Sequence, residues 1–144
     1  MLNNSDLILG ATLINQSNNF TVNNLGNLTD IVIPTASVLS GGGTVTLAGS
    51  TNSSRITDNS GSNGVFTNVD NTLEGRGQIG ANTLQIINQV GGLIDANSTG
   101  NTLTLDPNAA GGLQNQGTLR ATNGGILVFA AGEFTNTGAT IEAT

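Results

Sequence analysis

The stretch FTNVDNTLEG, residues 66–75, is repeated without a gap as FTNTGATIEA, residues 134–143. The two copies share Phe, Thr, Asn, Thr and Glu at equal positions, and the Leu of one copy is replaced by Ile in the other. A short chain that repeats itself is typical of stacked structural units. Each copy is therefore predicted to be one layer of a repeat fold.

Two further copies lie between these, IINQVGGLIDA at 86–96 and LQNQGTLRA at 113–121. Each copy has an apolar anchor, an Asn two places later, a turn of variable length, and then an apolar, a charged and a small residue. The equivalent asparagines are Asn68, Asn88, Asn115 and Asn136, and the equivalent charged residues are Glu74, Asp95, Arg120 and Glu142. This spacing indicates a repeat of roughly 20–25 residues.

Segments of alternating apolar and polar residues occur between the copies, and they predict a third column of strands. They are NTLQI at 82–86, NTLTL at 101–105 and GILVF at 125–129, with GTVTL at 43–47 upstream. No segment has helical periodicity over a helical length, so the chain is predicted to be all-β. About three short strands per repeat are too few for a propeller blade and indicate a parallel β-helix, or β-solenoid.

Stacking assigns roles to the repeated polar positions, because equivalent residues of adjacent coils lie about 4.8 Å apart. The four asparagines are predicted to hold the turns as a ladder of side-chain amides, helped by their tolerance of left-handed backbone angles. The charged column is predicted to face outward. Arg120 is then expected to pair with Asp95, Glu142 or both, for about 0–1 kcal/mol because the pair is exposed. Glu74 and Asp95 are expected to point into solvent, or else to mark where a cation or another chain docks.

The composition argues against several classes of function. Three arginines and nine acidic residues give a net charge of −6, so the chain lacks the basic surface that nucleic acids and anionic membranes require. His, Cys and Lys are absent, which excludes the usual catalytic triads and the Cys/His zinc sites. The chain is therefore predicted to be no enzyme and to need no cofactor or metal.

Two weaker chemical signals are present. GRGQIG at 75–80 is a literal GxGxxG, but the segment after it has β rather than helical periodicity, so it predicts a turn between strands and not a dinucleotide site. Polysaccharide-degrading β-helix enzymes use Asp clusters and Arg. The residues of this chain that could serve such an enzyme are Asp58, Asp70, Glu74, Asp95 and Arg76. They are expected instead to lie on solvated faces of the coils.

The run TLEGRGQIGANTLQIINQVGGLIDA, with NQGTLRATNGGILVF and FTNTGATIEA after it, resembles the coils of large secreted bacterial β-helix proteins of the filamentous haemagglutinin and autotransporter-adhesin type. The resemblance covers roughly residues 41–144. It implies a right-handed solenoid that acts as a surface stalk or adhesive module outside the cell, with a host or surface glycan or protein as partner. Residues 1–40 match less well, although LINQ at 13–16 echoes IINQ at 86–89. They are predicted to be degraded coils or an N-terminal cap or docking segment.

The expected function is thus a non-catalytic structural or adhesive module. The alternative is a fragment of a polysaccharide-binding or polysaccharide-degrading β-helix protein, including the phage tailspike type. No window is apolar enough for membrane insertion, and the start MLNNSDLILGATL lacks a basic n-region, so an export signal is expected outside this chain. Because ATIEAT at 139–144 stops within a coil, either the coils continue in a larger chain or subunits stack head to tail into filaments.

Overall fold

The computed structural model describes residues 5–50, 52–61 and 63–144, and in these ranges the chain forms 18 β-strands and no helix. No helix that is long and apolar enough to cross a membrane is therefore found in them. The strands follow one another in six coils of three strands each. The first four residues of the predicted 1–40 segment lie outside the described part.

Coil 1 contains β1 (Ser5–Ile8), β2 (Thr12–Ile14) and β3 (Asn19–Val22), and coil 2 contains β4 (Thr29–Val32), β5 (Ala36–Ser40) and β6 (Thr44–Leu47). Coil 3 contains β7 (Ser54–Thr57), β8 (Val65–Asn68) and β9 (Thr72–Gly75), and coil 4 contains β10 (Gly77–Gly80), β11 (Gln85–Asn88) and β12 (Leu93–Ala96). Coil 5 contains β13 (Thr102–Leu105), β14 (Leu113–Asn115) and β15 (Thr118–Ala121), and coil 6 contains β16 (Ile126–Phe129), β17 (Phe134–Asn136) and β18 (Thr140–Ala143).

Each coil gives one strand to each of three parallel sheets. Sheet 1 has the order β1-β4-β7-β10-β13-β16, sheet 2 the order β2-β5-β8-β11-β14-β17, and sheet 3 the order β3-β6-β9-β12-β15-β18. The chain passes from sheet 1 to sheet 2 to sheet 3 at three corners, named here corner 1-2, corner 2-3 and corner 3-1. Because every strand pairs with its equivalent in the next coil, the described chain is a β-solenoid, and the predicted fold class is confirmed.

The core lies between the three sheets and consists of inward columns of apolar side chains. Strand alternation places every second residue inside, and these residues stack from coil to coil. The inward columns include Ile31, Ile56, Ile79 and Leu105 in sheet 1, Phe66, Ile86 and Leu113 in sheet 2, and Val45, Leu73, Ile94 and Leu119 in sheet 3. All of them are at most 3% exposed, so a chain poor in aromatic residues still buries a continuous core.

Two of the predicted third-column strands lie in other sheets. GTVTL supplies β6 of sheet 3, which pairs with β9, and NTLQI supplies only the start of β11 in sheet 2. The sheet 1 strand of coil 4 is instead β10, the GQIG of the GxGxxG motif, paired with β7 and β13. The prediction was wrong because the two glycines of β10 hide its strand pattern, while Asn82 adopts a left-handed φ of 57° in the following corner.

Coil length varies more than the sequence predicted. In sheet 3 the paired residues Leu73 and Ile94 are 21 positions apart, whereas Val45 and Leu73 are 28 apart. The strands keep nearly constant lengths, so the corners absorb the difference. The expected repeat of 20–25 residues holds in sheet 3 for the coils that carried the motif, but in sheet 2 the paired residues Asn88 and Asn115 are 27 apart.

The segment before residue 41 contains strands that stack in register with the rest. β1, β2 and β3 pair with β4, β5 and β6 respectively, so coil 1 is a full coil. The echo between LINQ and IINQ does not reflect equal positions, because Leu13 pairs with Leu39, and Leu39 pairs with Asn68. Leu13 therefore stands in the column of the Asn ladder, and Asn15 lies two residues further along.

Candidate functional site

The four repeated asparagines form one column at corner 2-3. Asn68, Asn88, Asn115 and Asn136 are directly paired in sheet 2. Each amide nitrogen donates to the carboxamide oxygen of the next coil, at 2.9 Å from Asn68, 2.9 Å from Asn88 and 2.7 Å from Asn115. The first three are at most 1% exposed. A continuous amide ladder therefore joins coils 3 to 6 inside the protein.

The ladder also closes the turns of its own coils. Asn68 donates to the carbonyl of Asn71 at 2.9 Å and accepts from its backbone N–H at 3.1 Å. Asn88 donates to the carbonyl of Gly92 at 3.1 Å. None of the four has a left-handed φ, because each is the last residue of a strand. The expected use of left-handed angles at these positions was wrong, and the carboxamide groups alone explain the choice of Asn.

The Asn ladder has room only because a glycine lies beside it. This need for glycine was not predicted from the sequence. A Cβ atom at Gly92 would lie 2.2 Å from Asn88 Oδ1 and 2.7 Å from Asn68 Nδ2. A Cβ at Gly117 would lie 2.2 Å from the carbonyl of Gly92. Both glycines directly precede a strand of sheet 3, and their alignment in the repeat was a signal that could have found them.

The charged column lies in sheet 3, where Glu74, Asp95, Arg120 and Glu142 occupy directly paired positions of coils 3 to 6. Arg120 Nε donates to Asp95 Oδ2 at 2.9 Å, and its Nη2 lies 2.9 Å from the same oxygen. Thr122 Oγ1 donates to the other oxygen, Asp95 Oδ1, at 3.0 Å. Of the two carboxylates beside it, Arg120 therefore binds Asp95, in the coil before its own.

Asp95 does not point freely into solvent, which corrects the expectation for this column. The residue is only 3% exposed, because the coils on either side of it cover its carboxylate. Glu74, in the coil before, is also engaged: Oε1 accepts from Thr46 Oγ1 at 3.2 Å and Oε2 accepts from Asn97 Nδ2 at 3.0 Å. The outward face of sheet 3 is thus a hydrogen-bonded layer.

A second ion pair, in sheet 1, was not predicted. Asp30 and Arg55 are paired residues of β4 and β7, and the guanidinium binds the carboxylate through Nε–Oδ1 at 2.9 Å and Nη2–Oδ2 at 2.5 Å. The hydrogen bond to Asp30 raises the pKa of Arg55, and the lowering by burial is smaller. Opposite charges one coil apart, at the same position of TDIV and SRIT, were the available signal. This signal could not be aligned from the sequence, because residues 1–40 carry no recognisable motif.

Corner 1-2 carries a further polar stack. Thr83 Oγ1 of coil 4 lies 3.1 Å from Thr57 Oγ1 and accepts from the Asp58 N–H at 2.9 Å, both in coil 3. Asn108 of coil 5 donates to the Thr83 carbonyl at 3.2 Å. Buried polar groups thus link successive coils here as they do at corner 2-3.

The five residues considered as candidates for catalysis are spread over different parts of the solenoid. Asp58 is at corner 1-2, where it accepts from the N–H groups of Ser60 and Gly64, and Asp70 is at corner 2-3, where it accepts from two backbone N–H groups of coil 2. The structure pairs Glu74 with Asp95 in sheet 3, and Arg76 follows the same strand as Glu74. Within the described ranges, no group of three or more acidic side chains could hold a metal ion.

The GxGxxG segment spans corner 3-1: Gly75 ends β9, Gly77–Gly80 is β10, and the predicted turn is one residue long, with no helix after it in the described chain. Arg76 is the only residue between the two strands. It forms part of the lining of an open notch of about 410 Å³ on the outside of this corner. The arrangement is that of a turn between solenoid strands.

Comparison with protein-family models, with curated proteins and with solved structures returned no match for this chain.

Proposed function

We propose that the chain is a non-catalytic structural module of the filamentous haemagglutinin and autotransporter-adhesin type, acting outside a bacterial cell. The proposal rests on the hydrogen bonds that the polar side chains of this chain form. Most of the carboxylates, and the buried carboxamides, join one coil to the next or close a turn. A module built in this way supplies a stiff scaffold for display.

The charged groups illustrate this use most clearly. Asp30 and Asp95 each bind an arginine of the following coil, and Asp106 accepts from Gln78 Nε2 of the preceding coil at 2.9 Å. Asp70 holds backbone N–H groups of the preceding coil at 2.7 and 3.1 Å. A catalytic carboxylate needs an open position toward a substrate, whereas these side chains are committed to holding the fold.

We further propose that the end coils are covered by a second copy of the chain, stacked head to tail. Leu7 of coil 1 is 52% exposed and Ile141 of coil 6 is 50% exposed, although both belong to inward columns. Adding coil 1 of a second copy after coil 6 in the same register would place Phe129 on Leu7 and Ile141 on Phe20. Apolar side chains would then meet apolar ones in the sheet 1 and sheet 3 columns.

The polar columns tolerate the same junction. Glu142 would come beside Thr21, and a Thr–Glu pair already hydrogen-bonds within the chain, between Thr46 and Glu74. Asn136 would come beside Leu13, and the internal column already contains such a step, from Leu39 to Asn68. The in-register junction therefore pairs the same residue types that the solenoid pairs internally, in the reverse order along its axis.

Electron microscopy and light scattering over a concentration series test the stacking. Rods longer than one molecule are expected at high concentration, and Ile141→Lys or Leu7→Lys should abolish them. Val90→Lys is the matched control, because Val90 is 80% exposed but lies at corner 2-3 of coil 4, away from both ends. Monomers at every concentration, or equal loss of rods in the Val90 variant, would refute the junction.

The absence of catalysis is tested separately by incubating the chain with acidic polysaccharides, with and without calcium. No product is expected. Turnover that disappears in Asp95→Asn, with circular dichroism showing that this variant remains folded, would favour a polysaccharide-degrading protein instead.

A further inference from the structure

Corner 3-1 has unequal lengths in successive coils, and this difference creates the notch. In coil 3 the corner is Arg76 alone, whereas residues 48–53 follow β6 in coil 2 and residues 97–101 follow β12 in coil 4. The short corner is therefore recessed between two longer ones. The resulting notch of about 410 Å³ is lined by Thr46, Ala48, Gly75, Arg76, Asn97 and Ser98, among others. Its size is that of a small-molecule site.

The backbone holds Arg76 at the bottom of this notch. Gly75 has a φ of +104°, and a Cβ there would lie 2.2 Å from the carbonyl oxygen of Leu47. A Cβ at Gly77 would lie 2.2 Å from the carbonyl oxygen of Ser54. The Arg76 N–H donates to Leu47 O at 2.9 Å. Only glycine on both sides allows a one-residue corner to pack this closely on coil 2.

Arg76 is bonded differently from the other two arginines. Its Nη1 donates to Asn101 Oδ1 at 2.9 Å and its Nη2 to Ala48 O at 3.4 Å, and both acceptors are neutral. Arg55 and Arg120 each bind a carboxylate, but no salt bridge to Arg76 exists within the described part of the chain. A guanidinium has five N–H donors, so Arg76, which binds no carboxylate directly, keeps donors for a ligand.

The wall of the notch adds polar groups beside this charge. Ser98 Oγ accepts from Asn101 Nδ2 at 3.2 Å, which leaves its own proton to donate elsewhere. Asn97 also lines the notch; its Nδ2 donates at 3.0 Å to Glu74, which lies behind the lining. A ligand here would meet one cation, one hydroxyl donor and the carboxamide oxygen of Asn97 as an acceptor.

We propose that the notch binds a sugar acid, with the ligand carboxylate on Arg76 and its hydroxyl groups on Ser98 and Asn97. Arginine recognises carboxylates through paired N–H donors, and the sugar hydroxyls can both donate and accept. A more highly charged anion fits less well, because Glu74 lies nearby and the chain carries a net charge of −6. The site does not depend on end-to-end stacking, so either proposal can fail alone.

The test is an NMR titration of the ¹⁵N-labelled protein with glucuronate and galacturonate. Shifts are expected at Arg76, Ser98 and Asn97, and Arg76→Gln should weaken binding by about tenfold or more. Ser98→Trp should block the notch without removing the charge. Arg120→Gln is the charge-matched control, because Arg120 binds Asp95 and does not line the notch.

Three comparison ligands separate the sources of binding. Glucose tests the hydroxyl groups without the carboxylate, and acetate and sulfate test the charge without the sugar. The proposal requires the sugar acids to bind more tightly than all three. Equal shifts with acetate or sulfate would indicate nonspecific anion binding only, and an unchanged affinity in Arg76→Gln or Ser98→Trp would place any binding elsewhere. Either result would overturn the site.

Discussion

At the scale of single residues, the Asn ladder shows how a polar side chain can stabilise a core. Asn88 is fully buried, donates to Asn115 and to Gly92, and accepts from Asn68. Burying a carboxamide costs free energy unless its hydrogen bonds are replaced, and the adjacent coils replace them. The ladder residues are therefore constrained by their neighbours as strongly as the apolar core residues are.

We predict that Asn88→Ala lowers the free energy of unfolding by about 1–3 kcal/mol, because neighbouring buried groups lose their partner. Asn136→Ala should lower it by less than about 1 kcal/mol, since Asn136 is an exposed end of the ladder. Urea denaturation of both variants measures the difference. Equal effects would mean that the ladder does not contribute to stability beyond its own turns.

The Asp95–Arg120 pair should be stronger than an exposed surface pair. Asp95 is buried and also accepts from Thr122, so we predict a coupling free energy of about 1–2 kcal/mol in a double-mutant cycle of Asp95→Asn and Arg120→Gln. The same cycle on Arg120 and Glu142, which are adjacent without a salt bridge, should give about zero. A coupling for Asp95 no larger than this control would support the sequence-based expectation of an exposed pair.

Among the structural elements, the strands are short and regular, whereas the corners differ in length and sequence from coil to coil. Corner 2-3 needs a glycine beside the ladder, and corner 3-1 of coil 3 needs two glycines around Arg76. Glycine is thus required where coils approach most closely, because it has no Cβ atom and its backbone adopts positive φ angles without strain.

A test of this requirement is Gly92→Ala, which should lower the free energy of unfolding by about 1–3 kcal/mol because the new methyl group would collide with the Asn ladder. Gly10→Ala is the matched control, since its φ is not positive and its nearest contact would be Pro34 Cγ at 3.8 Å. We expect that change to be neutral or to stabilise by about 0.4–1 kcal/mol. A tolerated Gly92→Ala would show that the ladder can move aside.

In the whole molecule, each strand pairs only with its equivalents in adjacent coils, so stability is expected to be distributed along the solenoid. Coils 1 and 6 have one neighbour each, and their inward residues Leu7 and Ile141 remain half exposed. Coils 3 and 4 lie in the middle of the stack with a neighbour on each side, and coil 3 contains the largest fully buried side chain, Phe66.

Amide hydrogen exchange should therefore be slowest in β8, β9, β11 and β12 and faster by roughly tenfold or more in coils 1 and 6 of the monomer. Mass spectrometry at low protein concentration measures this gradient. Raising the concentration should protect coils 1 and 6 if copies stack. Uniform protection in the monomer would indicate that the six coils unfold as one unit.

The fold class and the register of coils 3 to 6 could be predicted from the repeat, because stacking equivalent positions imposes one local pattern on these coils. That pattern was enough to align Asn68 with Asn88 and Arg120 with Asp95. The burial of Asp95, the Asp30–Arg55 pair and the strand β10 became visible only in the folded chain. The same is true of the notch at Arg76. These features depend on how corners of different lengths pack against adjacent coils, and no local periodicity encodes that packing.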